Sequence, residues 1–142
     1  MCCLLLKRCL LLAVLICVCN NFSQGQIRQI EQQLRGLPFI KDSVDLINSL
    51  NRLGVLYRTR NTDSCFYYGV KAKSMAVNLR YKRGQTEASH SIAYAFYKRG
   101  LYAESLELLG KILPRYEELN DTEKIIQVHL DMSDVLNKGG LR

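Results

Sequence analysis

One pattern recurs three times in this chain and limits what it can fold into. It runs large, small, two others, large, at Leu53-Gly54-Val55-Leu56-Tyr57, Ile92-Ala93-Tyr94-Ala95-Phe96 and Met132-Ser133-Asp134-Val135-Leu136. The small residues stand 39 and then 40 positions apart, and seven residues after each comes a turn residue: Asn61, Gly100 and Gly140. A fixed period of roughly 20–50 residues signals a stacked array, because one supersecondary unit cannot bury its apolar face alone.

The unit is clearest over Thr86–Asn120. Ala88, Ile92 and Phe96 recur at four-residue spacing beside Ala93 and Ala95, and Ser105, Leu106, Leu109, Ile112 and Leu113 form a second stripe at helical spacing. Gly100 between them supplies the permissive backbone of a tight helix-to-helix turn. The unit reads as an antiparallel helical hairpin, and the segment 78–84 falls one period before 118–124.

At these residues the chain resembles a tetratricopeptide repeat (TPR) protein. Leu53, Gly54 and Tyr57 stand where that family has its Leu-Gly-x-x-Tyr signature, with Gly100 and Tyr102 at the inter-helix turn and Ser105 at a small second-helix position. The period exceeds the family's usual length and is similar to the longer variety found in bacterial signalling proteins, with Tyr116–Asp121 closing a second helix. The resemblance implies an all-α fold, an α-α superhelix of antiparallel hairpins with about two and a half repeats. Its divisions fall at 42–83, 84–120 and an incomplete 121–142, after a short helix and linker over 26–41. The packing positions it implies are Leu53, Gly54 and Tyr57; Ile92, Ala93, Phe96, Gly100 and Ser105; and Met132, Ser133 and Leu136.

The first 25 residues differ in composition from the rest. Lys7-Arg8 precede Cys9–Cys19, an uncharged apolar run, and Asn20–Gly25 are polar or small apart from Phe22. A membrane-spanning helix needs about 20 apolar residues, so the run fits a signal-peptide core cleaved before Gln26. The rival is an uncleaved anchor through residues 3–19. Five of the six cysteines lie in this leader, so a mature chain keeps Cys65 alone and excludes intrachain disulfides and multi-cysteine metal sites. Beside Phe66, Cys65 reads as a buried structural thiol. Losing the leader removes Lys7 and Arg8 and no acid, lowering the formal charge from +7 to +5. That excess is scattered, its densest cluster Arg80–Arg83 reads as a solvated turn, and no nucleic-acid partner is implied.

Along the mature chain, 26–35 is a short amphipathic helix stopped by Gly36 and Pro38. Asp42 or Ser43 caps the next helix, with Val44, Ile47, Leu50, Leu53 and Leu56 facing inward. The helix after Thr62-Asp63-Ser64 presents Phe66, Val70, Ala72, Met75, Ala76 and Leu79. Pro114 removes one backbone hydrogen bond, yet Tyr116 and Leu119 resume the pattern, which predicts one kinked helix. Asn120–Glu123 is a capping-box pattern opening a last helix over 121–138. With no second half to the third repeat, Val128, Met132, Val135 and Leu136 are expected to have partial cover: either the last helix is itself the cap, or, as the abrupt end on a turn pair favours, the chain is the front end of a longer protein.

Catalytic patterns are missing. His90 and His129 stand 39 apart at what read as equivalent repeat positions, in no metal-binding spacing, and no phosphate loop or nucleophile elbow is present. No enzyme activity, cofactor, metal or small-molecule substrate is expected. The TPR resemblance instead implies a groove lined by the first helices: Asn48, Asn51, Arg58 and Thr59 in the first repeat. The second contributes Glu87, His90, Tyr94, Tyr97 and Lys98, and the third Gln127, Asp134, Asn137 and Lys138. Amides, charges and tyrosines suit a protein or peptide partner. The leader plus longer-period repeats resemble the exported sensory region of bacterial TPR-type sensor histidine kinases, placing the chain in the periplasm or on the extracytoplasmic face of the inner membrane. The alternative is a membrane-anchored scaffold or assembly factor acting alone.

Overall fold

The structure, a computed structural model, describes residues 24–140. The leader expected over 1–25 therefore lies outside the described residues except for its last two positions, and so does the anchor considered over 3–19. Residues 24–36 are one helix, α1, which forms a unit of its own. It runs one residue beyond the expected stop at Arg35, and the 3-10 turn Leu37–Phe39 opens the second unit.

That second unit holds five helices: α2 (Ser43–Tyr57), α3 (Thr62–Asn78), α4 (Lys82–Lys98), α5 (Tyr102–Glu118) and α6 (Thr122–Gly139). No strand occurs among the described residues. The starts of α2, α4 and α6 reproduce the 39- and 40-residue spacing, and each helix packs on its chain neighbour, while α4 also meets α2 and α6. Two hairpins, α2/α3 and α4/α5, thus stack side by side with α6 against the second. No described helix is long and apolar enough to cross a membrane.

Local chemistry sets the boundaries. Asp42 accepts hydrogen bonds from the Val44 and Asp45 amides at 2.8 and 2.9 Å, satisfying two of the orphan donors at the start of α2. Asn61 caps α3 through the Ser64 amide at 2.9 Å, and Asp121 caps α6 through the Lys124 amide at 3.2 Å. The last cap falls one residue later than the box predicted at Asn120, because Asn120 takes a left-handed φ of 53° and ends α5. The amides of Tyr81, Leu101 and Asp121 bond back to the carbonyls of Ala76, Phe96 and Tyr116, which is the Schellman pattern around left-handed Arg80, Gly100 and Asn120. Asn61 is not their analogue. Its φ of −148° is extended, so the first hairpin turns by a different route from the one at Gly100. Helix α4 also starts four residues ahead of Thr86, placing Lys82 and Arg83 in a helix and not in a solvated turn. Pro114 sits within an unbroken α5, as a single helix required.

Two apolar clusters fill the stack. Ile47 and Leu50 of α2 pack with Ala72, Ala76 and Ala88, and Leu109, Ile112 and Tyr116 of α5 pack with Ala93, Val128 and Val135. The buried stripe of α3 is Cys65, Gly69, Ala72 and Ala76, all small; Val70 and Leu79, expected inward, are 43% and 49% exposed. Small side chains there let α3 approach α4 closely: a Cβ on Gly69 would stand 3.0 Å from an Ile92 side-chain carbon. Cys65 is fully buried as expected, donates to the Ser91 carbonyl at 3.4 Å, and has its pKa pushed up to about 11 by burial. On α6, Val128 and Val135 are fully covered, while Leu136 is 38% exposed and Ile126 and Leu130 are each 56% exposed.

Among the signature positions, Leu53, Ala93 and Ser105 are wholly buried, and the Ser105 hydroxyl donates to the Ala93 carbonyl at 2.8 Å. Tyr57 stacks on Tyr68, and Phe96 meets Phe66. Ser133 is exposed, because α6 has only α5 and α4 against it among the described residues. A Cβ on Gly54 would lie 3.0 Å from Ser91 Oγ. Gly54→Leu should therefore overpack the α2–α4 contact and cost about 1–3 kcal/mol. An unchanged urea midpoint would mean that the two helices are not closely apposed there.

Candidate functional site

The first helices of the three repeats share one face, and a pocket of about 440 Å³ opens on it. Helix α2 contributes Asn48, Asn51, Arg52 and Val55, spaced three and four apart on one side, and Arg58 follows at its end. Tyr81 comes from the turn before α4, and Arg83, Glu87 and His90 from α4 itself. Tyr116 of α5 and Lys124 of α6 close the far wall.

Hydrogen bonds hold much of this wall in place. Asn51 is 3% exposed, and its side-chain amide donates to the Gly84 carbonyl at 3.0 Å and to Glu87 Oε2 at 3.5 Å. Both partners are acceptors, so the amide orientation is determined. Tyr81 donates to Asn48 Oδ1 at 3.1 Å. Arg83 is fixed by Glu87 at 3.1 Å and by Asp121 at 2.8 Å, tying α4 to the start of α6.

Beneath the pocket lies a polar chain that joins all three repeats. His90 is 1% exposed, and its Nε2 is 2.7 Å from Asp131 Oδ2 on α6. Gln127 donates to the other Asp131 oxygen at 2.9 Å, and Arg58 stands 3.9 Å from Asp131. The Tyr116 hydroxyl is 3.4 Å from His90 Nδ1. Burial lowers the His90 pKa, against the hydrogen bond to Asp131, and the nearby Arg58 and Lys124 charges lower it further. Burial also acts to raise the Asp131 pKa, but hydrogen bonds from His90 and Gln127 outweigh it and hold the carboxyl low. The consistent assignment is a neutral imidazole donating from Nε2 to an ionised Asp131, with Nδ1 accepting from Tyr116. Burial pushes the Tyr116 phenol well above its ordinary value, so it remains a donor.

Of the residues expected in the groove, Asn48, Asn51, Arg58, Glu87 and His90 line this pocket. Tyr94 and Tyr97 continue along α4, half-buried and edge to face, with the Arg58 guanidinium 5.3 Å from the Tyr94 ring centre and Lys98 near both rings. Gln127 is engaged below by Asp131. Thr59, Asp134, Asn137 and Lys138 are exposed outside the pocket lining. His90 and His129 are not equivalent, contrary to their 39-residue spacing: His129 is exposed on α6. Helices α4 and α6 start 40 residues apart, so His129 is one position, about 100° of helix rotation, out of register. Residues missed in the sequence are Arg52, Val55, Tyr81, Arg83, Tyr116, Lys124 and Asp131. Arg52 and Val55 carried a usable signal, standing four residues after Asn48 and Asn51 on the same helix.

No group of three or more potential metal-ligating side chains occurs among the described residues. The pattern of one family, described as the SusR N-terminal TPR domain, matches residues 20–125 of this chain. No curated protein matches the sequence.

Proposed function

The chain belongs to the SusR N-terminal TPR domain family, and from that premise we propose that it is a non-catalytic interaction module forming the extracytoplasmic, sensory part of a signal-transduction protein. The observation that carries the reading is the shared face of α2, α4 and α6. It concentrates a polar pocket and two half-buried tyrosines where three repeats meet. Such a face combines broad aromatic area with fixed hydrogen-bonding groups, as protein and peptide recognition requires. The family's description places this kind of domain at an amino terminus, which supports a front-end role. The export reading is supported by Lys7-Arg8, the apolar run after them and the polar, small-residue flank.

A photo-crosslinking residue at Lys98, on the shared face, tests the binding face in cells. The control position is Val77, exposed on α3. A defined partner captured from position 98 and not from 77, with lower yield when Tyr94→Ala is added, is the expected result. Equal capture at both positions would remove the binding face from the account. For export, alkaline phosphatase fused after residue 142 should be active only when residues 1–25 are present. Activity without them, or none with them, would contradict the extracytoplasmic placement.

A further inference from the structure

In both complete hairpins the small residue of the recurring pattern faces the antiparallel helix that follows it. A Cβ on Gly54 would lie 3.8 Å from the Cys65 carbonyl of α3, and the Ala93 carbonyl accepts from Ser105 of α5. Ser133 of α6 holds the third such position and is exposed. So are Ile126, Leu130 and Asn137, which at about 100° per residue share a sector roughly 60° wide with Ser133. His129 and Leu136 border that sector and are exposed as well. Ile126 and Leu130, its two large apolar residues, are each more than half exposed. Helix α6 therefore leaves uncovered the side with which α2 and α4 each meet an antiparallel helix.

The charges along this stripe point to its occupant. Glu123 lies in the first turn of α6 and Lys138 in the last, both exposed and on the same flank of the stripe. Neither has an ion-pair partner among the described residues. A two-fold axis passing beside Leu130 and Asp131 lays the α6 of a second copy antiparallel against the first. Glu123 and Lys138 are equally far from that axis, so each copy's Glu123 comes beside the partner's Lys138. A parallel pairing would bring like charges together at both ends, and the helix dipoles would also align unfavourably. We propose that α6 is a homodimer interface, in which two copies pair through Ile126, Leu130, Ser133 and Asn137 and each covers the other's open helix face. Apolar residues at the centre and complementary charges at the rim are the anatomy of a protein–protein interface. One helix face per copy buries less than about 1,200 Å² in total, so the association is a reversible equilibrium and not a permanent dimer. Lys124, which lines the pocket of the shared face, stands on the same flank as Glu123, and the two-fold keeps that flank on one side of the pair. Both pockets then open toward the same side of the dimer.

The test is sedimentation velocity of the protein, as it exists after any processing, over about a hundredfold range of concentration. Thermal melts followed by circular dichroism confirm that each variant is folded. A monomer–dimer equilibrium is expected. Leu130→Glu, which places a carboxylate from each copy beside the axis, should weaken it at least about tenfold. Val77→Glu, at an exposed position of α3, should leave it within about twofold. Glu123→Lys and Lys138→Glu should each weaken association about fivefold. The protein carrying both should regain it to within about twofold, because the exchanged charges pair again across the axis. A protein monomeric throughout the range would overturn the proposal and leave the face to some other antiparallel helix. A dimer as sensitive to Val77→Glu as to Leu130→Glu, or a doubly exchanged protein that associates no better than the single variants, would overturn it as well.

Discussion

Tyr116→Ala is expected to lower the stability of the repeat unit by about 3–5 kcal/mol, a large share of what a domain of this size has. Tyr116 is 1% exposed, and its ring lies in the cluster of Leu109, Ile112, Val128 and Val135, where α5 meets α6. Removing the ring empties a volume that the three helices around it, α4, α5 and α6, cannot readily close, so lost transfer energy and a cavity add. Tyr116→Phe separates the ring from its hydroxyl. It removes only a long 3.4 Å contact to His90 Nδ1 and should cost no more than about 1 kcal/mol. Urea midpoints of the three proteins, followed by circular dichroism, provide the comparison. A small effect of the alanine variant would place Tyr116 outside the core and, with it, the continuation of α5 beyond Pro114.

What the sequence disclosed follows from which interactions are local. The starts of α2, α4 and α6 were legible because each depends on apolar spacing and capping chemistry within a few residues, as at Asp42. The inward stripe of α3 was not. Cys65, Gly69, Ala72 and Ala76 are buried because α4 comes close, while the larger Val70 and Leu79 on the same helix face outward. A search for large apolar residues at helical spacing selects the wrong face when close packing demands small ones. The pocket shows the same division. Asn48, Asn51 and Glu87 fall on the face that the repeat signature defines. Tyr81 comes from a turn, and Tyr116 and Lys124 come from helices whose rotation no short stretch specifies. The pairing of His90 with Asp131 joins residues 41 apart and depends on the relative rotation of α4 and α6. The period changes by one residue between the first and second intervals, enough to expose His129 and to leave His90 with Asp131 as its buried partner.

Asp131→Ala is expected to cost about 3–5 kcal/mol at pH 7, since it strips the anion from a buried cation and leaves a buried imidazole N–H unpaired. The Arg58 and Asp131 side chains are only 13% and 11% exposed, so water does little to replace the lost carboxylate. The same network predicts how the intact protein responds to acid. Burial lowers the His90 pKa below its usual 6.5, so the unfolded chain binds that proton first. The stability due to neutral His90 is therefore complete above that pH and is lost as pH falls toward the folded pKa, by at most about 1.4 kcal/mol per pH unit. Asp131 is held below its usual 3.8 despite burial, because His90 and Gln127 donate to it, so its contribution is present above that value and disappears below it. Urea midpoints measured from pH 8 to pH 3 should be level at first, fall below about 6.5, and fall again below about 4. His90→Gln, which keeps a donor toward Asp131, should abolish the first decline and retain the second. Asp131→Ala should do the reverse: without the carboxylate, burial and the Arg58 charge disfavour the imidazolium more strongly, so the first decline persists to lower pH and the second is diminished. Identical acid profiles for the intact protein and both variants would show that the chain from Arg58 through Asp131 and His90 to Tyr116 does not bind the three repeats together.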